Sequence, residues 1–148
     1  MNPTITPKER ARRSAEAMWA GDNASREMGM ELLNVDAGSA SIAMTVQPQH
    51  TNGHAICHGG ITFSLADSTF AFACNAYNRI TLAQHNVISY IAPAKLGDRL
   101  TATAREVSLR GRNGIYDVEV RNQDDRLIAQ FRGFSRAIEG QLFNEEEA

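Results

Sequence analysis

The sequence contains few cysteines, little net charge and no long apolar run, and each absence excludes a class of protein. Two cysteines in 148 residues, Cys57 and Cys74, cannot form the disulfide framework of a small secreted domain. A formal net charge of −2 gives no electrostatic reason to expect a nucleic-acid or membrane partner. No segment is apolar over the roughly 20 residues of a membrane span, and no apolar signal segment follows the N-terminus. We therefore expect one cytoplasmic domain over residues 1–148, with flexible tails at 1–6 and 140–148.

Hydrophobic periodicity predicts a helix, two strands, a long helix and four more strands, in that order. The first helix begins at a capping sequence that starts with Thr6, and it ends at Gly21. A hairpin is expected over 28–35 and 39–46. The four later strands are expected at 81–92, 99–109, 115–122 and 127–138. Short connections between these four favour antiparallel pairing, and the long helix would cover their apolar face. This arrangement is an α+β hotdog architecture.

The long helix is expected to begin at Gly59 and to end near Asn78. Small or apolar residues occupy every side of its helical wheel, which is typical of a buried helix. Asp67 is the only residue charged at neutral pH between His58 and the helix end, and chains avoid a buried carboxylate unless it is paired, protonated or used. Gly59 and Gly60 leave N–H groups at the helix start that could stabilise an oxyanion. We therefore interpret Asp67 as a candidate catalytic carboxylate and the two glycines as a candidate oxyanion site.

The spacing of these groups predicts a site that one chain cannot complete. Eight residues separate Gly59 from Asp67, which is about 12 Å along a helix. A base and an oxyanion donor must both lie within about 3 Å of the reacting atoms. Two copies of the helix packed antiparallel would bring Gly59 of one chain toward Asp67 of the other. We therefore expect a homodimer with shared active sites.

Three histidines suggest a competing metal site. His50, His54 and His58 recur every four residues, with Cys57 beside the last, and on a helix they would share one face. The Asn-Gly pair at 52–53 argues against a continuous helix through them. We therefore expect no metal.

Simpler structural roles stay open for the same residues. Asp67 could be a buried carboxylate satisfied by hydrogen bonds. His58 could cap the helix, and Asn52 could be a turn residue. Gly59 and Gly60 could serve close packing alone.

Several motifs together resemble the phenylacetate-degradation (PaaI-type) acyl-CoA thioesterases of the hotdog superfamily. They are Asn52-Gly-His-Ala-Ile-Cys-His58-Gly59-Gly60 followed by Phe63-Ser-Leu-Ala-Asp67, Pro93-Ala-Lys-Leu-Gly97-Asp98, and Phe131-Arg-Gly-Phe-Ser-Arg136. The resemblance implies hydrolysis of the thioester between coenzyme A and a small aromatic acyl group such as phenylacetyl or hydroxyphenylacetyl. It also implies homodimers that pair into homotetramers, without a metal and without a cofactor beyond the coenzyme A of the substrate.

By this resemblance the catalytic carboxylate falls on Asp67 and the oxyanion amide on Gly59. Supporting polar residues fall on Asn52 and His58. Asp67 could act as a general base or as a nucleophile, since both suit a thioester. Weaker candidates for an assisting group on the next strand are Thr81, Gln84 and His85.

Coenzyme A requires cations near its phosphates and an apolar slot for its acyl group. The candidates for binding it are Gly60, Lys95, Arg110, Arg112, Arg132 and Arg136, since arginine binds phosphate bidentately. Phe63 and Phe70 are candidates for the acyl pocket. Two other functions remain open, namely a hotdog hydratase or dehydratase acting on acyl-CoA and a non-catalytic acyl-CoA-binding protein.

Overall fold

A six-stranded antiparallel sheet wraps around one long helix. The computed structural model describes residues 4–147. Its helices are α1 (Pro7–Gly21), α2 (Asn23–Glu27) and α3 (Gly59–Cys74). Its strands are β1 (Glu31–Asp36), β2 (Ser39–Thr45), β3 (Thr81–Tyr90), β4 (Arg99–Arg110), β5 (Asn113–Arg121) and β6 (Leu127–Ala137). The α+β architecture agrees with the sequence prediction. Along the described residues, no helix is long and apolar enough to cross a bilayer.

The strand order is β1-β2-β4-β5-β6-β3, so β3 lies at an edge of the sheet. The expected antiparallel pairing is present throughout, but β3 pairs with β6 and not with β4, the next strand along the chain. The connection from Ile91 to Asp98 therefore crosses between strands. Strand β3 keeps one side unpaired and exposes large apolar side chains. These are Leu82, Val87 and Tyr90, with Ile91 just beyond the strand.

Helix α3 presents one face to the concave side of the sheet. Leu65, Phe70 and Ala73 are completely buried there. Phe70 packs against Tyr116 and Phe131, with ring centroids 5.7 and 5.9 Å away. This aromatic cluster forms the centre of the core.

The opposite face of α3 is not covered within the chain. Gly60, Ser64, Asp67 and Ala71 follow one another at helical spacing and are exposed or half-buried. We call these four residues the open stripe. The sequence predicted a helix buried on all sides. That prediction is wrong for the single chain, because one sheet can cover only part of a helix circumference.

Helix α3 ends earlier than predicted, at Cys74 rather than near Asn78. The Asn75 side chain donates to the Ala71 carbonyl at 2.9 Å and bonds both backbone groups of Thr81. The Asn75 side chain therefore ties the end of α3 to the first residue of β3. Cys74 and Cys57 are both buried free thiols.

The chain ends also differ from expectation. The predicted tails were 1–6 and 140–148, of which residues 1–3 and 148 lie outside the described residues. Thr6 caps α1, since its hydroxyl accepts from the Glu9 N–H at 3.1 Å. Glu145 pairs with Arg10 at 2.6 Å, and Asn78 donates to the Phe143 carbonyl at 3.0 Å. Contacts to α1 and to the turn after α3 therefore hold the C-terminal segment where a free tail was predicted.

Candidate functional site

The carboxylate of Asp67 lies in the middle of the open stripe, next to strand β3. Its Oδ1 accepts a hydrogen bond from Asn86 Nδ2 at 3.0 Å. Burial raises the pKa of Asp67 above its ordinary value of 3.8, and the Asn86 hydrogen bond opposes that rise. The half-buried acid therefore has a raised proton affinity, which suits a group that accepts and releases a proton.

The N-terminus of α3 presents one free amide. His58 is the N-cap residue, and its Nδ1 accepts from the Gly60 N–H at 2.9 Å. The capping role left open for His58 is therefore present, and the Gly60 N–H is already engaged. Among the described residues, no acceptor bonds the Gly59 N–H. Of the two glycine amides, only that of Gly59 is available to an oxyanion.

A cavity of about 290 Å³ adjoins Gly59. Asn52, Thr62 and Tyr90 are among its lining residues. Asn52 Oδ1 accepts from the His54 N–H at 2.9 Å, which is the turn role that the Asn-Gly pair suggested. The structure thus brings Asn52 and Gly59 to one cavity.

Tyr90, which also lines that cavity, is hydrogen-bonded to the backbone of Gly59. Its hydroxyl donates to the Gly59 carbonyl at 2.8 Å. A Cβ built on Gly59 would lie 3.1 Å from the Tyr90 ring. The absence of a side chain at Gly59 therefore allows this close approach.

The acid does not reach the cavity within its own chain. Asp67 is not among the residues that line it. About two helical turns separate Asp67 from Gly59. Each chain holds the two groups apart, one at the start of α3 and one on the open stripe.

The weaker candidates on β3 do not accompany Asp67. Thr81 Oγ1 donates to the Arg79 carbonyl, and His85 stacks on Phe134 with centroids 5.4 Å apart on the outer face of the sheet. Gln84 is exposed at an irregularity in the β3–β6 register. The sequence analysis missed Asn86. The alternation of Asn86, Ile88 and Tyr90 placed this amide on the face toward the helix, which was the available signal.

The three histidines are not on one helical face. Pro48–His50 forms a short 3₁₀ turn, and His50 Nδ1 accepts from the Gln47 N–H at 3.0 Å. His54 follows in an exposed turn, while His58 caps α3. Within residues 4–147, no three His, Cys, Asp or Glu side chains are grouped to hold a metal ion.

Three of the candidate cations lie together at the end of the sheet farthest from Gly59. Arg110 and Arg136 are both register partners of Asn113, and the Arg112 carbonyl accepts from Ala137. Arg79 joins them, donating to the Gly111 carbonyl at 3.3 Å. We call Arg79, Arg110, Arg112 and Arg136 the arginine cluster.

The remaining predicted ligand residues are separate from that cluster. Arg132 forms an ion pair with Asp117 at 2.6 Å on the outer face, and Lys95 is exposed in the loop before β4. Phe70 is fully buried in the core, so it does not line an open acyl pocket. Phe63 is half-buried and packs edge-on against Phe131, at 5.6 Å.

The chain is similar to known proteins over most of its length. A family model described as Thioesterase superfamily matches residues 54–129. The acyl-coenzyme A thioesterase PaaI of Escherichia coli (strain K12) is 40% identical over 136 residues, which cover 92% of this chain and 97% of that protein. Acyl-coenzyme A thioesterase 13 of Homo sapiens is 31% identical over 121 residues, or 79% of this chain and 86% of that protein. The solved structure of the E. coli PaaI protein from the phenylacetic acid degradation operon superposes with a TM-score of 0.90 at 39% identity, covering 92% of this chain and 99% of that one.

Proposed function

Because this chain belongs to the thioesterase superfamily and is a PaaI-like acyl-CoA thioesterase, we propose that Asp67 and the Gly59 N–H carry out its thioester hydrolysis. The fold is the hotdog fold that the sequence resemblance implied, so that prediction is confirmed. The enzyme is a thioester hydrolase. The proposals that follow concern its catalytic groups, its substrate and its assembly.

The observation that carries the proposed chemistry is the placement of one half-buried acid on an otherwise uncharged helix. Asp67 can take a proton from water or attack the thioester carbonyl directly, and its raised pKa suits either role. The Gly59 amide, at the positive end of α3, stabilises the negative charge that develops on the carbonyl oxygen. Asn52 lines the cavity beside Gly59. Its side chain helps to hold the thioester group of the substrate in that cavity. His58 acts indirectly, by capping the helix that presents the amide.

A homodimer completes the site. The open stripe and the unpaired β3 strand both lie uncovered in the single chain, and a second copy packed antiparallel along α3 would cover them. Such packing moves Gly59 of one chain toward Asp67 of the other, which the separation along one helix requires. Each dimer then has two shared sites. A homotetramer formed from two such dimers remains our expectation from the family resemblance.

The substrate we propose is coenzyme A esterified to a small aromatic acid, such as phenylacetate or a hydroxyphenylacetate. The name of the E. coli relative and the operon of its solved structure support the aromatic acyl group. In the proposed antiparallel dimer, the arginine cluster of one chain would come to the end of the site where Gly59 of the other chain lies. There it would bind the phosphates of coenzyme A. We propose smaller roles for Arg132, which Asp117 already neutralises, and for the isolated Lys95. The reaction needs neither a metal nor a further cofactor.

A thiol-release assay over aromatic and aliphatic acyl-CoAs tests the proposal. We expect the intact protein to prefer aromatic substrates and Asp67→Asn to lose at least about 100-fold in rate. Asp124→Asn, the same change at an exposed turn residue, serves as the control. Wild-type rates in Asp67→Asn would refute the assignment. Hydration of an enoyl-CoA without thiol release, or saturable binding without any product, would favour the two alternative functions.

A further inference from the structure

Asn86 combines a hydrogen bond to the acid with an unused acceptor. It lies on the inner face of β3, opposite Gly133 of β6. Its Nδ2 donates to Asp67 Oδ1 at 3.0 Å. Its Oδ1 is buried, and no partner for that atom is found among the described residues.

The orientation of the amide follows from the charge of its neighbour. An ionised carboxylate can only accept hydrogen bonds, so the NH₂ group of Asn86 must face Asp67 and the carbonyl must face away. A buried carbonyl without a donor is costly, and chains keep one where a water, a ligand or a second chain supplies the donor. Beside a candidate catalytic acid, a water molecule is the donor that the reaction itself provides.

We propose that Asn86 is the positioning residue of the active site, holding the Asp67 carboxylate through Nδ2 and accepting through Oδ1 one O–H of the water that attacks the thioester. This inference rests on the proposed function and assigns Asp67 the role of general base. Held by Asn86 on one side and Asp67 on the other, the water directs a lone pair at the substrate.

The water oxygen forms a bond to the thioester carbonyl carbon while one water proton passes to Asp67 Oδ2. The carbonyl oxygen takes the negative charge and accepts the Gly59 N–H of the second copy. The carbon–sulfur bond then breaks, and Asp67 returns the proton to the sulfur of coenzyme A. The other water hydrogen, which faced Asn86, remains on the oxygen as the hydroxyl of the acid product.

A pH profile separates this role from a purely structural one. Asn86 lowers the pKa that burial raises in Asp67, so removing the amide should move the acid limb of kcat/KM to higher pH. No charged side chain in residues 4–147 forms a salt bridge with Asp67. The titratable groups that lie around α3 are Asp22 beside α2, Cys57 ahead of α3, Tyr90 of β3, Glu106 of β4 and Tyr116 of β5, with Cys74 and Tyr77 at the end of the helix.

The carboxylates and the Tyr90 and Tyr116 hydroxyls have hydrogen-bond partners within the chain, and burial raises the pKa of Cys57 and of Tyr77. Asp22 accepts from Ser25, and Glu106 accepts from the Tyr116 hydroxyl at 2.9 Å. Burial raises the pKa of Cys74 to about 12. The Tyr90 hydroxyl donates to the Gly59 carbonyl. A shift of the acid limb in an Asn86 variant therefore reports on Asp67.

The test compares Asn86→Ala and Asn86→Asp with Asn34→Asp, which makes the same amide-to-acid change at an exposed position of β1. In Asn86→Ala we expect kcat to fall about 10- to 100-fold, KM to change less than about 3-fold, and the acid limb to move up. In Asn86→Asp a second carboxylate beside Asp67 should raise the limb by more than about one pH unit. Asn34→Asp should resemble wild type. Thermal melts of all variants check folding, and the near-isosteric Asn86→Asp keeps the test decisive if the alanine variant unfolds.

Each outcome separates this inference from the proposed function. If Asp67→Asn is inactive while both Asn86 variants keep the wild-type limb and a kcat within about 3-fold of wild type, the role of Asn86 is refuted and the proposed function stands. If Asp67→Asn retains full activity, the proposed function fails and this inference fails with it.

Discussion

Gly59→Pro should remove catalysis while leaving the fold intact. The substitution deletes the backbone N–H that we assign to the oxyanion. Proline is favoured at the first position of a helix, where Gly59 lies. The preceding residue, His58, already has φ −58° and ψ 135°, which is the extended conformation that a residue before proline requires. Because no described residue accepts from this N–H, the change breaks no hydrogen bond of the chain.

The expected magnitude follows from the loss of one oxyanion donor. Such a loss costs about 2.7–4 kcal/mol of transition-state stabilisation, or roughly 100- to 1000-fold in kcat. Gly59→Ala is the matched control, because it places the same Cβ 3.1 Å from the Tyr90 ring but retains the N–H. Tyr90 is 55% exposed, so its ring can move aside in both variants.

Steady-state thiol release and thermal melts on both variants complete this test. We expect similar melting temperatures and a large difference in kcat between Gly59→Pro and Gly59→Ala. If Gly59→Pro hydrolyses the substrate within about 3-fold of Gly59→Ala, the oxyanion assignment is refuted.

Three further results are expected. As the pH falls, kcat/KM should drop with a midpoint above pH 3.8, because burial raises the pKa of Asp67 and a general base must be deprotonated. A midpoint at or below pH 3.8 would contradict the assignment of Asp67 as the base. Gly133→Ala should lower the free energy of unfolding, measured in urea, by about 1–3 kcal/mol, because its Cβ would lie 2.7 Å from the buried Phe70 ring. An unchanged free energy of unfolding would contradict the tight packing of Phe70 on Gly133. Arg136→Ala should raise KM for acyl-CoA more than Arg126→Ala does, since only Arg136 belongs to the arginine cluster; equal KM values in the two variants would remove the cluster from the binding site.

Much of the fold could be predicted from local sequence patterns. The start of α3 followed from the glycines after His58, and most strands followed from period-two alternation and turn residues. The position of β3 beside β6 could not be predicted, because strand order depends on contacts between distant segments. The end of α3 was misplaced because no helix-breaking residue marks it, and the bonds between the Asn75 side chain and Thr81 of β3 exist only in the folded chain.

The candidate site was predicted unevenly for similar reasons. Asp67 was recognisable because it is a single acid in an apolar helix, and a buried carboxylate is costly unless it is paired, protonated or used. His58 and Gly60 were ambiguous, since a histidine before glycines can bind a ligand or cap a helix, and the 2.9 Å bond between them decides for the cap. Asn86 was missed because its partner is 19 residues away on another element, and only the fold brings the two side chains together.

Mixing two inactive variants tests most directly whether the active site is shared between two chains. Asp67→Asn retains Gly59, and Gly59→Pro retains Asp67, so a mixed dimer contains one site with both groups and one with neither. At equal amounts and random pairing, half of the dimers are mixed, and we predict recovery of about a quarter of the wild-type activity. Activity that stays at the level of the separate variants, after exchange of subunits has been verified, would contradict the shared site.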